Sequence, residues 1–246
     1  LVGGLPDAIN SFLKDNNIFK VRKIQSDVLE YYKDDASKYD FENKLKIKRI
    51  YDMIPSNLEN KKKRLFIQDI ENKRRRAINY QDEFDYLISS GITIDVQAIS
   101  NPVFPLTQSL KRNLLKLYLN DVGLLTNILY KNNITAILND ESSINLGSVY
   151  ESVVASELKA HGFNLYYYDN KQNGEVDFLI DDYNNLSILP IEIKSGKDYT
   201  VHSAINNLLK NHEIKQGYVF SNARMISNIN NILHLPIYYV MFIENN

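Results

Sequence analysis

The 246-residue chain contains no cysteine. That excludes disulfides, a thiol nucleophile and every thiolate metal site. It also fits a reducing compartment, so a cytoplasmic location is expected. No apolar run approaches the ~20 residues that a membrane-spanning helix needs, and no membrane partner is expected. There is no secretory leader pattern. The phosphate-loop pattern GxxxxGK[ST], the zinc-protease pattern HExxH and the nucleophile elbow GxSxG are all missing. The histidines at 161, 202, 212 and 234 are scattered, so a histidine zinc site is not expected. The chain opens on Leu1-Val2-Gly3-Gly4 without Met and is expected to be a fragment or a processed product.

What is present is an ordinary globular composition, 44% hydrophobic, enough to bury a core in one or two domains. Net charge is 29 − 30 = −1, but it is unevenly spread. Residues 41–76 carry twelve Lys/Arg against five Asp/Glu, a surplus of +7 that the rest of the chain offsets with −8. Residues 165–200 carry three basic against seven acidic residues, or −4. The segregation fits two surfaces with different tasks; it equally fits solvated helix faces.

Periodicity divides the chain into three stretches. Residues 1–40 read as helical, with a turn at Gly3-Gly4-Leu5-Pro6 and helical spacing from Val21 to Tyr39. Residues 41–106 read as a winged-helix-like domain. Its parts are a helix from Lys44 ended by Pro55, a helix from Lys73 to Ser90, and the alternating strand Ile92 to Val96. Its basic runs, Lys61, Lys62, Lys63, Arg64 and Lys73, Arg74, Arg75, Arg76, can bind nucleic-acid phosphates, so DNA is an expected partner. The same segment can instead be a packing module. Residues 107–246 give a strand (114–119), a helix (122–130), a helix (146–161) and three strands (164–168, 175–180, 187–193). A helix (201–211) and strands at 217–220 and 236–242 follow. The run α-β-β-β-α-β within this stretch matters most.

The chemistry concentrates there. Asp177 opens one strand, and Glu192 and Lys194 sit two apart on the next, sharing a face while Ile191 and Ile193 turn inward. The polar stretch from Asp181 to Leu186 makes the two strands a hairpin, which can set Asp177 beside Glu192. Glu151 lies on the preceding helix. Two carboxylates and a lysine suit phosphodiester hydrolysis. Asp177, Glu192 and Glu151 offer hard oxygens to Mg²⁺, with the Ile193 carbonyl as a further ligand, and Lys194 can orient water or stabilise phosphate charge. A lone Glu-x-Lys is common on exposed strands; the strand and helix that precede it give the pattern its weight. Weaker candidates have plainer readings. Asp121 is expected as a helix N-cap, and Tyr166, Tyr167 and Tyr168 as alternating core and surface positions rather than a base-stacking platform.

Ordered motifs along almost the whole chain resemble a family. They include Gly3-Gly4-Leu5-Pro6, Val21-Arg22-Lys23-Ile24-Gln25, Ile54-Pro55-Ser56 and the Arg76 to Tyr80 segment. Further on come the run from Lys116 to Leu125, Glu175-Val176-Asp177-Phe178-Leu179-Ile180 and Pro190-Ile191-Glu192-Ile193-Lys194-Ser195-Gly196. Together they resemble the region that follows the ATPase core in prokaryotic AAA-type ATPases carrying a C-terminal domain of unknown function. The end of that region resembles the PD-(D/E)xK nuclease superfamily, whose motif positions fall on Asp177, Glu192 and Lys194. The resemblance implies an α/β chain, α+β overall, in three parts. Residues 1–40 would be the helical lid end of an ATPase module and 41–106 the winged-helix-like domain. Residues 107–246 would be a restriction-endonuclease-like mixed sheet flanked by helices. It also implies an upstream ATPase core as partner, with ATP bound only there. Two functions compete: a Mg²⁺-dependent nuclease-like module acting on DNA, and a catalytically inactive interaction or nucleic-acid-binding module that targets or regulates the ATPase.

Overall fold

The structure, a computed structural model, describes residues 1–39, 44–60, 62–65, 80–139, 144–170, 174–196, 203–212 and 214–245. The chain is α/β, with helices and one large mixed sheet. It divides into two compact units, each built from two segments. One comprises Leu1–Ile94 and Leu117–Ser152; the other comprises Asp95–Lys116 and Val153–Asn246.

The first unit is helical. Its helices are α1 (Pro6–Asp15), α2 (Ile18–Tyr39), α3 (Lys44–Glu59), α4 (Gln81–Ser89), α5 (Val122–Tyr130) and α6 (Ile134–Leu138). Pro6 opens α1, where its fixed φ and missing N–H cost nothing. Helix α3 does not stop at Pro55 as expected but runs on to Glu59. A proline inside a helix costs ~3 kcal/mol. Here Ile47, Ile50, Tyr51, Ile54 and Leu58 form one buried stripe. At roughly 1.5–3 kcal/mol per buried aliphatic side chain, that stripe outweighs the proline. The expected Lys73–Ser90 helix is seen as α4; residues 73–79 lie outside the described residues.

Three motif pieces from distant parts of the sequence meet in this unit. The Asp121 carboxylate caps α5 by accepting the Leu124 N–H (3.0 Å), as expected, and also accepts the Gly4 N–H (2.5 Å). Gly3 has φ +77°, and a Cβ at Gly3 or Gly123 would collide with that carboxylate. The Gln25 amide donates to the carbonyls of Leu1 (3.0 Å) and Val2 (2.9 Å). Buried Arg22 donates to Gln25 Oε1 (3.0 Å), to the Gly123 carbonyl (3.3 Å) and to Thr126 Oγ1 (3.0 Å).

The sheet has eight strands: β1 (Thr93–Ile99), β2 (Leu110–Leu119), β3 (Tyr166–Asn170), β4 (Gly174–Asp182), β5 (Ser187–Lys194), β6 (Gly217–Ser221), β7 (Ser227–Ile229) and β8 (Ile232–Pro236). Their spatial order is β2-β1-β3-β4-β5-β6-β8-β7. β1, read from sequence as the wing of a small domain, runs parallel to β3. β3–β4 and β4–β5 are antiparallel; β5–β6 and β6–β8 are parallel. Helix α7 (Gly147–Ala160) precedes β3, and α8 (Ser203–Asn211) links β5 to β6. The α8 side chains Ala204 and Leu208 pack with Tyr166, Tyr168, Val176 and Leu179 in the core. All three tyrosines of β3 are buried, against the expected alternation, because β3 is an inner strand with both faces covered. The expected strand at 236–242 is corrected as well. The strand is β8, ending at Pro236, and Ile237–Phe242 is a 3₁₀ helix.

Candidate functional site

The β4–β5 hairpin carries the charged residues that the sequence singled out. Its register pairs Phe178 with Ile191 and Leu179 with Pro190, so one further step sets Asp177 opposite Glu192. Opposed residues on antiparallel strands hold their Cβ atoms ~4.5–5.5 Å apart. A bulge refines this geometry. Between Tyr166 and Tyr168, β3 advances two residues while β4 advances three, from Val176 to Leu179. The extra residue falls at Asp177–Phe178, and bulges re-aim side chains off simple alternation. Asp177 Oδ2 there accepts the backbone N–H of Ile193 at 2.8 Å. The carboxylate thereby stands where a ladder carbonyl would, beside Glu192.

Glu192 is 6% exposed and contacts the Lys194 ammonium, Oε1 to Nζ 2.8 Å. Lys194 keeps 29% of its side chain accessible. The period of two on β5 puts the pair on one face, as expected. Two further charges belong to the neighbourhood, and the sequence reading missed them. Lys116 on β2 is fully buried; its Nζ lies 2.5 Å from Glu175 Oε1 and 4.7 Å from the centre of the Tyr167 ring. Glu175 is two residues before Asp177 on β4.

Glu151, grouped with this constellation on sequence, is engaged inside the helical unit. Its carboxylate is ion-paired with Lys63 and accepts the Tyr118 hydroxyl at 3.0 Å. Of the basic runs, Lys62 is exposed, and Lys63 and Arg64 are half-buried. Lys61, Lys73, Arg74, Arg75 and Arg76 lie outside the described residues.

Among the described residues, no three His, Cys, Asp or Glu side chains gather as a metal cluster. A smaller donor set still suits one ion. Mg²⁺ is commonly held by one or two carboxylates, with waters and substrate phosphates completing its shell. Asp177, Glu192 and the Ile193 carbonyl supply hard oxygens of that kind.

The profile of a domain of unknown function, DUF8612, matches residues 1–135. The chain belongs to the DUF8612 family. Residues 146–240 match a second domain of unknown function, DUF4143. No curated protein and no solved structure matches the chain. The DUF8612 match covers the motif knot around Asp121 and Arg22, whereas Asp177, Glu192 and Lys194 all fall within the DUF4143 match. Lys116 lies in the first match and its partner Glu175 in the second. The missed signal was a lysine embedded in Leu114-Leu115-Lys116-Leu117-Tyr118-Leu119, where apolar neighbours on both sides indicate burial.

Proposed function

We propose that this chain is the C-terminal module of an ATPase and that its sheet unit is a nuclease-like domain, hydrolysing DNA phosphodiesters with Mg²⁺ held by Asp177 and Glu192. The observation that carries the proposal is the juxtaposition of Asp177 and Glu192 on adjoining strands, with Lys194 within 2.8 Å of Glu192. The ATPase association rests on the family resemblance of the ordered motifs.

Each residue has a role in this reaction. Asp177 and Glu192 concentrate negative charge where a divalent cation would sit, and the Ile193 N–H fixes the Asp177 carboxylate in orientation. When bound, Mg²⁺ supplies charge to polarise the phosphate and acidify water. Lys194 exchanges its Glu192 contact for the attacking water or a phosphate oxygen, stabilising charge that grows in the transition state. Glu151 is left out of the metal set, since Lys63 and Tyr118 already occupy its carboxylate. Lys61, Lys62 and Arg64 with the run 73–76 would hold the DNA backbone, and affinity for duplex should then fall steeply with salt.

The test is cleavage of supercoiled plasmid with Mg²⁺ or Mn²⁺, by the chain alone and joined to its ATPase core, alongside calorimetric titration of Mg²⁺. Cleavage lost in Asp177→Asn together with Mg²⁺ binding supports the proposal. Absence of both in the wild-type protein defeats it. A second function, a catalytically silent module that targets or regulates the ATPase, has its own supporting observation. Glu192 and Lys194 neutralise each other, and Glu192 is almost wholly covered.

A further inference from the structure

The polar end of the hairpin does not stop at β5. On the sheet face that α8 covers, three neighbouring strands change from apolar to polar toward the same end. On β4, Leu179 belongs to the core cluster with Ala204 and Leu208 of α8, and Asp177 stands two residues before it, at the bulge. On β5, Ile188 belongs to that cluster, and the period of two carries its face through Pro190 to Glu192 and Lys194. On β6, Val219 packs with Ile205 of α8, and a Cβ at Gly217 would collide with the same Ile205. Two residues beyond Val219, on that face, stands Ser221. β5 and β6 are parallel, and their register pairs Glu192 with Val219 and Lys194 with Ser221. Paired residues share a face, on strands about 4.8 Å apart. Ser221 is therefore the immediate neighbour of Lys194 across the ladder.

Burial gives this hydroxyl its interest. Ser221 is fully buried, as are Val219 and Phe220 before it. An apolar side chain suits such a position, and a buried polar group needs a reason to be there. Ser221 Oγ accepts the Ala223 N–H at 3.1 Å, a local bond that shapes the turn after β6. That bond uses one of two lone pairs, and among the described residues the hydroxyl makes no other hydrogen bond. Lys194 meanwhile contacts Glu192, the carboxylate that the nuclease reading gives to the metal. Once a cation takes Glu192, the ammonium needs another acceptor to hold it beside the reacting phosphate. An ammonium has three donors, so one can be spent on anchoring while the others face water and phosphate. Resting on that reading, we propose that Ser221 is a positioning residue of the site. Its second lone pair receives the Lys194 ammonium released by Glu192 and fixes it toward the substrate.

The test is a double-mutant cycle in plasmid cleavage by the full chain with Mg²⁺, built from Ser221→Ala, Lys194→Ala and the two together. At saturating DNA, Ser221→Ala should cut about tenfold more slowly, the size of coupling between residues in contact. KM for plasmid and the calorimetric affinity for Mg²⁺ should stay at their wild-type values. In the Lys194→Ala background, adding Ser221→Ala should change nothing further. Ser221→Cys fills nearly the same space with a weak acceptor and should be as slow as Ser221→Ala, which separates a lost acceptor from a packing fault. Circular dichroism checks that both variants fold. The same loss of rate in both Lys194 backgrounds would assign the hydroxyl to the Ala223 turn alone and overturn the proposal. Either Ser221 variant cutting at the wild-type rate, or Ser221→Ala losing Mg²⁺, would overturn it too. In each of those outcomes the wild-type protein still cuts, and the nuclease reading stands. A wild-type protein that does not cut defeats that reading, and the role of Ser221 falls with it.

Discussion

Two polar clusters, one in each unit, use their side chains in contrasting ways. In the helical unit, Asp121, Gln25 and Arg22 spend much of their hydrogen bonding on the backbone of Gly4, Leu124, Leu1, Val2 and Gly123. These bonds tie chain segments and a helix end together without pairing opposite charges, although the same unit pairs Lys63 with Glu151 elsewhere. In the sheet unit, charge meets charge: Lys116 with Glu175, and Lys194 with Glu192. Asp177 beside them is committed to a backbone N–H instead. The contrast separates two reasons for a motif. The Gly3-Gly4 and Asp121-to-Gly123 pieces are accounted for by folding alone, because a glycine is required wherever a Cβ would strike the Asp121 carboxylate. The Glu192-Lys194 pair has no comparable folding duty, since a partly solvated ion pair adds little stability.

That comparison can be broken most sharply at the buried pair. Glu175→Ala should take one partner from the buried Lys116 ammonium and destabilise the chain by up to about 3–5 kcal/mol, the cost of breaking a buried pair. The double change Lys116→Met with Glu175→Leu should recover most of the loss. Chemical denaturation of the three proteins decides it; a single variant as stable as wild type would show that Lys116 relies on other groups. Lys194→Ala should do the opposite. Its side chain is partly exposed, so unfolding should be little changed, while cleavage falls about 100-fold or more, the usual effect of losing one transition-state donor. A Lys194→Ala protein that cuts at the wild-type rate would remove the lysine from the chemistry. Third in size is Asp121→Ala. It deletes a helix cap and the tie to Gly4, for about 1–2 kcal/mol by thermal unfolding, with cleavage per folded molecule unchanged.

Legibility followed how local each cause was. Helix α5 was read to its termini because Asp121 caps it within three residues and apolar residues fill most of its length. The β4–β5 hairpin was read because alternation and a polar turn are neighbours in sequence. Failures came where distant partners decide. Pro55 looks like a stop until the buried stripe around it is seen. Tyr166, Tyr167 and Tyr168 alternate only if one sheet face is wet, and an inner strand has none. Lys116 finds Glu175 fifty-nine residues later, and no spacing rule reaches that far. The charged residues of the hairpin stand out in the sequence, but their geometry does not. The bulge that turns Asp177 toward the Ile193 N–H depends on a register with β3 that nothing local records.

The smallest effect concerns Asp181, whose carboxyl is pushed up from its ordinary value mainly by burial, with the Leu106 N–H pulling the other way. A carboxyl with a raised folded pKa binds its proton more tightly in the native state than in the unfolded chain. Between the unfolded value and the raised one, the native state therefore holds more protons, and stability from this group falls as pH rises. Below the unfolded value both states are protonated and the group contributes nothing; above the raised value its cost is complete. Asp181→Asn removes that cost while keeping an acceptor for Leu106. The stability of the variant minus that of wild type should thus increase as pH climbs from about 3 toward neutrality and then level off. Taking the difference cancels the carboxylates that the two proteins share. Paired urea titrations across that range measure it. A flat difference would mean that Asp181 is as well solvated as an unfolded aspartate. A difference that decreases with pH would mean that a cationic group, and not burial, governs this end of the hairpin.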